Sequence, residues 1–212
     1  ITVLTAYNIL YFSYDGVFMN MPGGPTQPEI MAVSLAKLGI RPGDTVADIG
    51  CGTGTVTAEM AKQTGKTGIV YGIDRRDAAM TCMQESCGSY PNVRTFAGEA
   101  LDFFRTEHLP VDCAFFGGSR DLSALLTVLD TEGCRSIVVN AVLLETAVEA
   151  VHTMKTLGIF REAVHLQISR SHELTGRIMF QPINPVYIIH GEHNATSKTW
   201  TSHKPGGLAR EC

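Results

Sequence analysis

A glycine-rich run and an aspartate some way downstream are the residues of this sequence best suited to chemistry. The run Asp48-Ile49-Gly50-Cys51-Gly52-Thr53-Gly54-Thr55 follows an apolar stretch and opens a helical pattern. A second apolar run follows over residues 68–73 and ends at Asp74, twenty positions after Gly54. A strand, a glycine turn, a helix, a second strand and an acid that can hold a ribose are typical of a doubly wound sheet. The sequence therefore predicts a site for a nucleoside-containing cofactor.

The spacing of the glycines separates two classes of cofactor. A dinucleotide site has the spacing G-x-G-x-x-G and places a pyrophosphate on the helix N-terminus. Here the spacing is G-x-G-x-G, and Thr55 stands where the third dinucleotide glycine would be. Asp48 at the strand end would repel a diphosphate but would attract a cation. S-adenosylmethionine carries a sulfonium and an ammonium group, so we predict that it is the cofactor. The alternative is an apolar strand followed by a flexible turn.

Other candidate residues stand where further strands are expected to end. The acid and amide of Gly98-Glu99-Ala100 could meet an adenine, although the segment could also be an ordinary helix cap. Thr26 could reach the cofactor, or it could belong to a capping box with Glu29. Gly117-Gly118-Ser119 lacks the Pro-Pro-aromatic motif of many amino-directed methyltransferases. Two glycines there leave room for a large flat substrate, or they form a tight turn.

A basic cluster stands near the end of the pattern. Arg170, His172 and Arg177 lie in one segment whose only acid is Glu173. On an acidic protein such a cluster suggests a substrate with carboxylates. The alternative is a solvated loop.

Alternating helical and strand patterns are expected to position these residues. We predict an α/β fold with seven strands, helices between the first six, and a doubly wound, mostly parallel sheet with one antiparallel strand at or near its edge. The predicted helices begin at a Thr26 cap, near Gly54, at an Asp77 cap, at a Ser119 cap and at Leu144. A polar loop from Ser169 to Asn184 is predicted to lead into the last strand, Val186 to Ile189.

Composition excludes several classes of protein. The 212 residues are 44% hydrophobic, with a net charge of -4 and a pI of about 6.0, so no basic field favours nucleic acid. No apolar run approaches the roughly 18 residues that span a bilayer, and residues 1–12 lack the basic start of a signal peptide. The six cysteines form no C-x-x-C pair or metal-ligand set. We predict a cytoplasmic protein with one domain over residues 1–191, a polar tail over 192–212 and no metal, and edge strands make homo-oligomers reasonable.

The chain resembles the cobalt-precorrin-6B (precorrin-6B) C15-methyltransferases (decarboxylating) of cobalamin biosynthesis, which are class I S-adenosylmethionine-dependent methyltransferases with a Rossmann-like fold. The resemblance covers roughly residues 15–191. It rests on the glycine run and on segments in the family's order: Gly24-Pro25-Thr26, Ile73-Asp74-Arg75, Gly117-Gly118-Ser119, Leu143-Leu144-Glu145-Thr146 and Asn184-Pro185-Val186. Glu99 stands where the family usually has aspartate, and the segment before Met21 matches poorly.

The resemblance implies methylation of C15 of a tetrapyrrole, with loss of the C12 acetate carboxyl as carbon dioxide. Arg170, His172 or Arg177 would then bind its peripheral carboxylates. Glu145 is a candidate for orienting the macrocycle, or alternatively a helix N-terminal acid favoured by the dipole. Other class I methyltransferases acting on RNA or protein carboxyls, or a cofactor-binding regulatory protein, are the alternatives. We therefore predict a cofactor site formed by Thr26, Asp48, Gly50, Cys51, Gly52, Thr53, Gly54, Asp74, Arg75, Glu99, Ala100 and Gly117.

Overall fold

Helices and strands alternate along most of the chain in a computed structural model, which describes residues 24–107 and 109–193. The helices are α1 (Pro28–Leu38), α2 (Thr55–Thr64), α3 (Asp77–Cys87), α4 (Ala100–Glu107), α5 (Leu122–Thr131) and α6 (Leu144–Leu157). The strands are β1 (Thr45–Ile49), β2 (Ile69–Asp74), β3 (Val93–Ala97), β4 (Cys113–Phe116), β5 (Ser136–Ala141), β6 (Phe160–Leu166), β7 (Ser169–Leu174), β8 (Arg177–Pro182) and β9 (Val186–Glu192).

Seven of these strands form one sheet in the order β3-β2-β1-β4-β5-β9-β6. Strand β9 is antiparallel to both of its neighbours, and the pairings among β1 to β5 are all parallel. The predicted class, a doubly wound and mostly parallel sheet with one antiparallel strand, is confirmed. The order reverses between β1 and β4, and a crevice at such a switch point is the usual ligand site of open α/β sheets.

Apolar side chains cover both faces of the sheet. On one face, α4, α5 and α6 bury residues such as Phe103, Leu126 and Met154 against the strands. On the other face, α1 and α2 bury residues such as Leu38 and Met60. Burial on both sides explains why β4 and β5 are continuous apolar runs rather than alternating ones. The sheet is therefore a rigid support for the loops at its carboxyl edge.

Three predicted helix caps are wrong. Helix α1 begins one residue later than a Thr26 cap requires, because Gln27 is its N-cap, and no side chain caps it. Helix α3 has Arg76 as N-cap and Asp77 in its first turn, where an acid still complements the helix dipole. Helix α5 has Asp121 rather than Ser119 as its N-cap. The helix starts later because Gly117 and Gly118 first donate their amides to the carbonyl of Ile49 at the end of β1.

The predicted polar loop between Ser169 and Asn184 is also wrong. Strands β7 and β8 form a separate two-stranded hairpin, closed by a two-residue turn at Thr175 and Gly176. Both turn residues have positive φ, 50° and 73°, which is the geometry of a tight type I′ turn. The last strand, β9, runs beyond the predicted Ile189 to Glu192. Of the predicted tail over residues 192–212, the part from 194 onward lies outside the described residues.

Candidate functional site

The loops after β1, β2 and β4 meet at the carboxyl edge of the sheet, and backbone hydrogen bonds join them. Because Ile49 pairs with Ile73 on one side and with Phe116 on the other, the turns after β1, β2 and β4 start at the same level. The amides of Gly50 and Cys51 both donate to the carbonyl of Ile73, at 2.8 and 3.1 Å. The amide of Gly117 donates to the carbonyl of Ile49 at 2.8 Å. The floor of the site is therefore made of main chain.

Gly50 shows why the glycine run is needed. Its φ is +77°, and a Cβ there would stand 2.8 Å from the amide nitrogen of Gly118. A side chain at position 50 would force β1 and β4 apart at the point where the strand order reverses. The glycine run therefore forms the turn and also allows the loops after β1 and β4 to approach closely.

Asp48 is a buried acid beneath this turn. It is 1% exposed, and one carboxylate oxygen, Oδ2, accepts a hydrogen bond from the hydroxyl of Thr57 at 2.5 Å. Among the described residues, the other oxygen, Oδ1, has no hydrogen-bond partner. Burial raises the pKa of Asp48 to about 7, against the lowering effect of the Thr57 hydrogen bond. An under-satisfied buried acid fits a ligand that brings a positive charge.

Asp74 has the opposite environment, because donors surround it. Its Oδ1 accepts from the amide of Arg76 at 3.0 Å and from Arg76 Nε at 2.9 Å. Its Oδ2 accepts from Arg76 Nη2 at 2.7 Å and from the amide of Gly52 at 3.1 Å. Burial raises the pKa of Asp74, but these hydrogen bonds outweigh it and leave the pKa below its usual value. Asp74 is thus held as a carboxylate at the end of β2.

A third group of charges surrounds the start of α4. Glu99 Oε1 lies 3.9 Å from Arg75 Nε and 3.9 Å from Arg120 Nη1. Both arginine side chains are more than half exposed, so these ion pairs contribute little to stability. Ala100 is the first residue of α4. An acid and a helix N-terminus therefore stand together beside Asp74.

These loops enclose a cavity of about 490 Å³. This volume is in the range of small-molecule and cofactor sites. Most of the predicted cofactor residues line it: Thr26, Asp48, Gly50, Cys51, Gly52, Thr53, Asp74, Arg75, Glu99, Ala100 and Gly117. Gly54 is not among the lining residues and lies against Met83 of α3 instead. Burial raises the pKa of the Cys51 thiol well above its usual range, so this cysteine remains a neutral packing residue.

The predicted substrate residues lie outside the cavity. Arg170, His172 and Leu174 alternate along β7 and so point to one face of the hairpin, and Arg177 pairs with Leu174. The three basic residues therefore share this face. Arg170 forms a two-pronged ion pair with Glu29, at 3.1 and 2.5 Å, which lowers the pKa of Glu29. Glu145 is exposed in the first turn of α6. The structure therefore brings most of the predicted cofactor residues together in one cavity, and these substrate candidates do not line it.

Several cavity residues were missed by sequence reasoning. Asn140 is the penultimate residue of β5, and its Oδ1 accepts a hydrogen bond from the hydroxyl of Ser34 at 3.0 Å. Arg76, Arg120 and Asp121 also line the cavity. Thr57 does not line it but supports it from below, through its hydrogen bond to Asp48. The strand-end rule that selected Asp48 and Asp74 would also have selected Asn140. No comparable signal marks Arg76, because its role depends on its side-chain conformation.

The fold and the composition of the cavity define the class of protein. A seven-stranded sheet with this order, a glycine turn after β1 and an acid after β2 are those of class I methyltransferases. Two solved structures share the fold at closely similar scores. Precorrin 8W decarboxylase from Methanobacterium thermoautotrophicum is 30% identical, with a TM-score of 0.73 over 80% of this chain and 92% of that one. Precorrin-6y C5,15-methyltransferase from Geobacter metallireducens is 26% identical, with a TM-score of 0.72 over 80% and 91%.

Sequence comparison then gives the family. A model of the precorrin methyltransferase domain matches residues 18–192. A Methanosarcina acetivorans protein named "Probable cobalt-precorrin-6B C(15)-methyltransferase (decarboxylating)" is 45% identical over 84% of this chain and 98% of its own length. A Methanocaldococcus jannaschii protein of the same name is 32% identical over 84% and 97%. The chain belongs to the precorrin methyltransferase family.

Proposed function

We propose that this protein is an S-adenosylmethionine-dependent C-methyltransferase that methylates C15 of cobalt-precorrin-6B and removes the carboxyl of its C12 acetate, in cobalamin biosynthesis. The observation that carries the proposal is the cavity at the switch point of the sheet, which gathers Asp48, the glycine turn and Asp74 in one place. The named relatives support the substrate, since the chain covers nearly their whole length.

The residues at the cavity fit the cofactor. Asp48 has an unpartnered buried oxygen among the described residues, and burial raises the pKa of its carboxyl. A cationic ligand would supply the missing partner and favour the charged form. The backbone of Gly50 and Gly52 would lie against the methionine part of the ligand. Asp74 would accept the ribose hydroxyls, and Glu99 and Ala100 would meet the adenine. When bound, S-adenosylmethionine supplies an electrophilic methyl group on a sulfonium.

The substrate side of the cavity suits a large, flat molecule. Gly117 and Gly118 place no side chain at the end of β4. Beside them, Val142 lines the cavity, and it begins an exposed apolar segment with Leu143 and Leu144, each of which is more than half exposed. Exposed apolar groups in a row are unusual on a protein surface and indicate a binding function. We propose that this segment, defined here as the 142–144 ledge, receives the apolar edge of the macrocycle.

The chain's own contribution to the reaction is alignment and exclusion of water. Holding methyl donor and carbon acceptor in line can supply about 7–11 kcal/mol of the barrier. Decarboxylation needs the carboxylate removed from water, with its electrons passing into the conjugated macrocycle. We propose that Arg170 and Arg177 bind peripheral carboxylates and that Glu145, next to the 142–144 ledge, orients the ring.

We further propose that the protein acts in the cytoplasm, as a homo-oligomer and without nucleic acid. Its acidic charge gives no basic field for RNA. In the part of the chain that the structure describes, none of the helices is long and apolar enough to cross a membrane. Ile178 and Phe180 are exposed on the hairpin face opposite the arginines, and a second copy of the chain could cover them.

Turnover tests the proposal directly. The protein is incubated with S-adenosylmethionine and cobalt-precorrin-6B, and the product is measured by mass spectrometry. A product heavier by one methyl group and lighter by one carbon dioxide is expected. Asp74→Ala should weaken S-adenosylmethionine binding by at least about tenfold, whereas Asp102→Ala, which removes an exposed carboxylate of α4, should not. Cofactor binding with an unmodified tetrapyrrole would contradict the proposed substrate.

A further inference from the structure

Every acceptor position of Asp74 is already occupied in this structure. The four hydrogen bonds described above come from two backbone amides, those of Gly52 and Arg76, and from two nitrogens of the Arg76 guanidinium. A carboxylate offers about four lone-pair sites. The side chain of Asp74 is 3% exposed, so water has almost no access to complete its shell. No acceptor site is left for a further donor.

A ribose would need two of these positions. In the proposed cofactor site its two vicinal hydroxyls would each donate one hydrogen bond to Asp74. Two of the four existing donors must therefore leave Asp74 before a ribose can bind there.

Of the groups that donate to Asp74, the guanidinium of Arg76 is the one that can move away. The amide of Gly52 is fixed in the glycine turn, and the amide of Arg76 is fixed at the N-cap of α3. The guanidinium instead sits at the end of a long side chain that is 37% exposed. It also carries two donors in a fork, which is the number that the two hydroxyls replace.

We propose that Arg76 is an internal competitor for the ribose position: its guanidinium occupies the acceptor sites of Asp74 in the free protein and is displaced by the ribose diol of the cofactor. This inference rests on the proposed cofactor site. Arg76 keeps the buried carboxylate satisfied while no ligand is bound, and its displacement lowers the apparent affinity for every ligand that carries the diol. It is a residue that sets affinity, not a catalytic one.

Calorimetry with S-adenosylhomocysteine at pH 8 tests this role. Arg76→Ala should tighten binding by roughly three- to thirty-fold, because a partly exposed two-pronged ion pair no longer has to be broken. Arg76→Lys keeps the charge but not the fork, so it should tighten binding by less. The matched control Arg105→Ala removes an exposed arginine of α4 and should leave the affinity unchanged. Unchanged or weaker binding by Arg76→Ala would overturn the inference.

A spectroscopic measurement on the unaltered protein tests the same inference without depending on whether a variant folds. The Nε–H signal of Arg76 in a nitrogen-15 spectrum, assigned by its loss in Arg76→Lys, should shift as S-adenosylhomocysteine is titrated. A signal that does not change at saturation would also overturn the inference. Failure of the proposed function looks different, since the ligand would then not bind the unaltered protein, or Asp74→Ala would bind it equally well.

Discussion

Asp48 and Asp74 are both buried at the carboxyl edge of the sheet, yet their surroundings shift their pKa values in opposite directions. Burial raises the pKa of Asp48 to about 7, while hydrogen bonds lower that of Asp74 despite its burial. Pairs of acids with diverging pKa values often have different functions in one site. Here Asp48 would be stabilised by a cationic ligand, whereas Asp74 is already charged and has its hydrogen-bond acceptors occupied.

The raised pKa of Asp48 predicts a dependence of stability on pH. Between about pH 4 and 7 the folded protein holds a proton that the unfolded chain releases, so the free energy of unfolding falls as the pH rises through this window and levels off above it. Asp48→Asn should remove this contribution, which changes the stability difference between the two proteins by roughly 3–4 kcal/mol from pH 4 to 8. Chemical denaturation at several pH values measures it.

Thr57 offers a second test of the same carboxyl. Its hydroxyl lowers the pKa of Asp48, so Thr57→Val should move the midpoint of the pH dependence upward. Affinity for S-adenosylmethionine should fall up to tenfold per pH unit below about pH 7, since a cation favours the charged acid. A midpoint that stays in place in Thr57→Val would refute the assignment to Asp48.

At the level of single residues, sequence reasoning succeeded where main-chain position determines the site. Asp48, Gly50 and Asp74 lie at strand ends, and parallel strands bring their ends to one edge. Arg76 and Thr57 escaped prediction because their roles depend on where a side chain points. Pattern and spacing carry no information about that.

The β7–β8 hairpin is the element that sequence reasoning described least well. Its turn carries threonine, a β-branched residue, at a position with positive φ, where asparagine or aspartate is usual. The polar and basic strands therefore carried no clear hairpin signal. The structure nevertheless places the three predicted basic residues on one face of this hairpin. The basic cluster was visible in the sequence, but the hairpin that carries it was not predicted.

The hairpin gives a prediction about substrate affinity. In the double variant Arg170→Ala/Arg177→Ala, KM for cobalt-precorrin-6B should rise about tenfold or more, because two carboxylate partners are lost. Cofactor affinity should not change. The double variant Arg94→Ala/Arg161→Ala removes the same charge from β3 and β6 and is the matched control.

Substitution of Glu29 provides a second test of substrate binding by the hairpin. Glu29 holds Arg170 in an ion pair and would compete with a substrate carboxylate. Glu29→Gln should therefore lower KM. If KM for the tetrapyrrole is the same in all these variants, the hairpin does not bind the substrate.

At the scale of the whole molecule, the hairpin face opposite the three basic residues is an exposed apolar surface. Ile178 is 75% exposed and Phe180 is 68% exposed. A two-stranded hairpin exposed on both faces is only marginally stable by itself, so burial of these side chains between copies of the chain would stabilise it. This is the physical basis for the proposed homo-oligomer.

Light scattering after size-exclusion chromatography measures this association. The double variant Ile178→Glu/Phe180→Glu should reduce the particle mass to that of a smaller assembly or a monomer, since burying two carboxylates opposes association. Gln181→Glu adds a charge on the opposite face and should leave the mass unchanged. A monomeric unaltered protein would disprove the proposal.

Strand β9 has a consequence for how the chain is synthesised and folded. It lies between β5 and β6, although both of these strands precede it in the sequence. During translation β6 emerges before the strand that connects it to the sheet, so β5 has one unpaired edge and β6 has no partner strand until residue 192 has left the ribosome. Exposed edges promote aggregation. We therefore expect nascent chains that stall before Val186 to require chaperones, and full-length chains to complete the sheet in one late step.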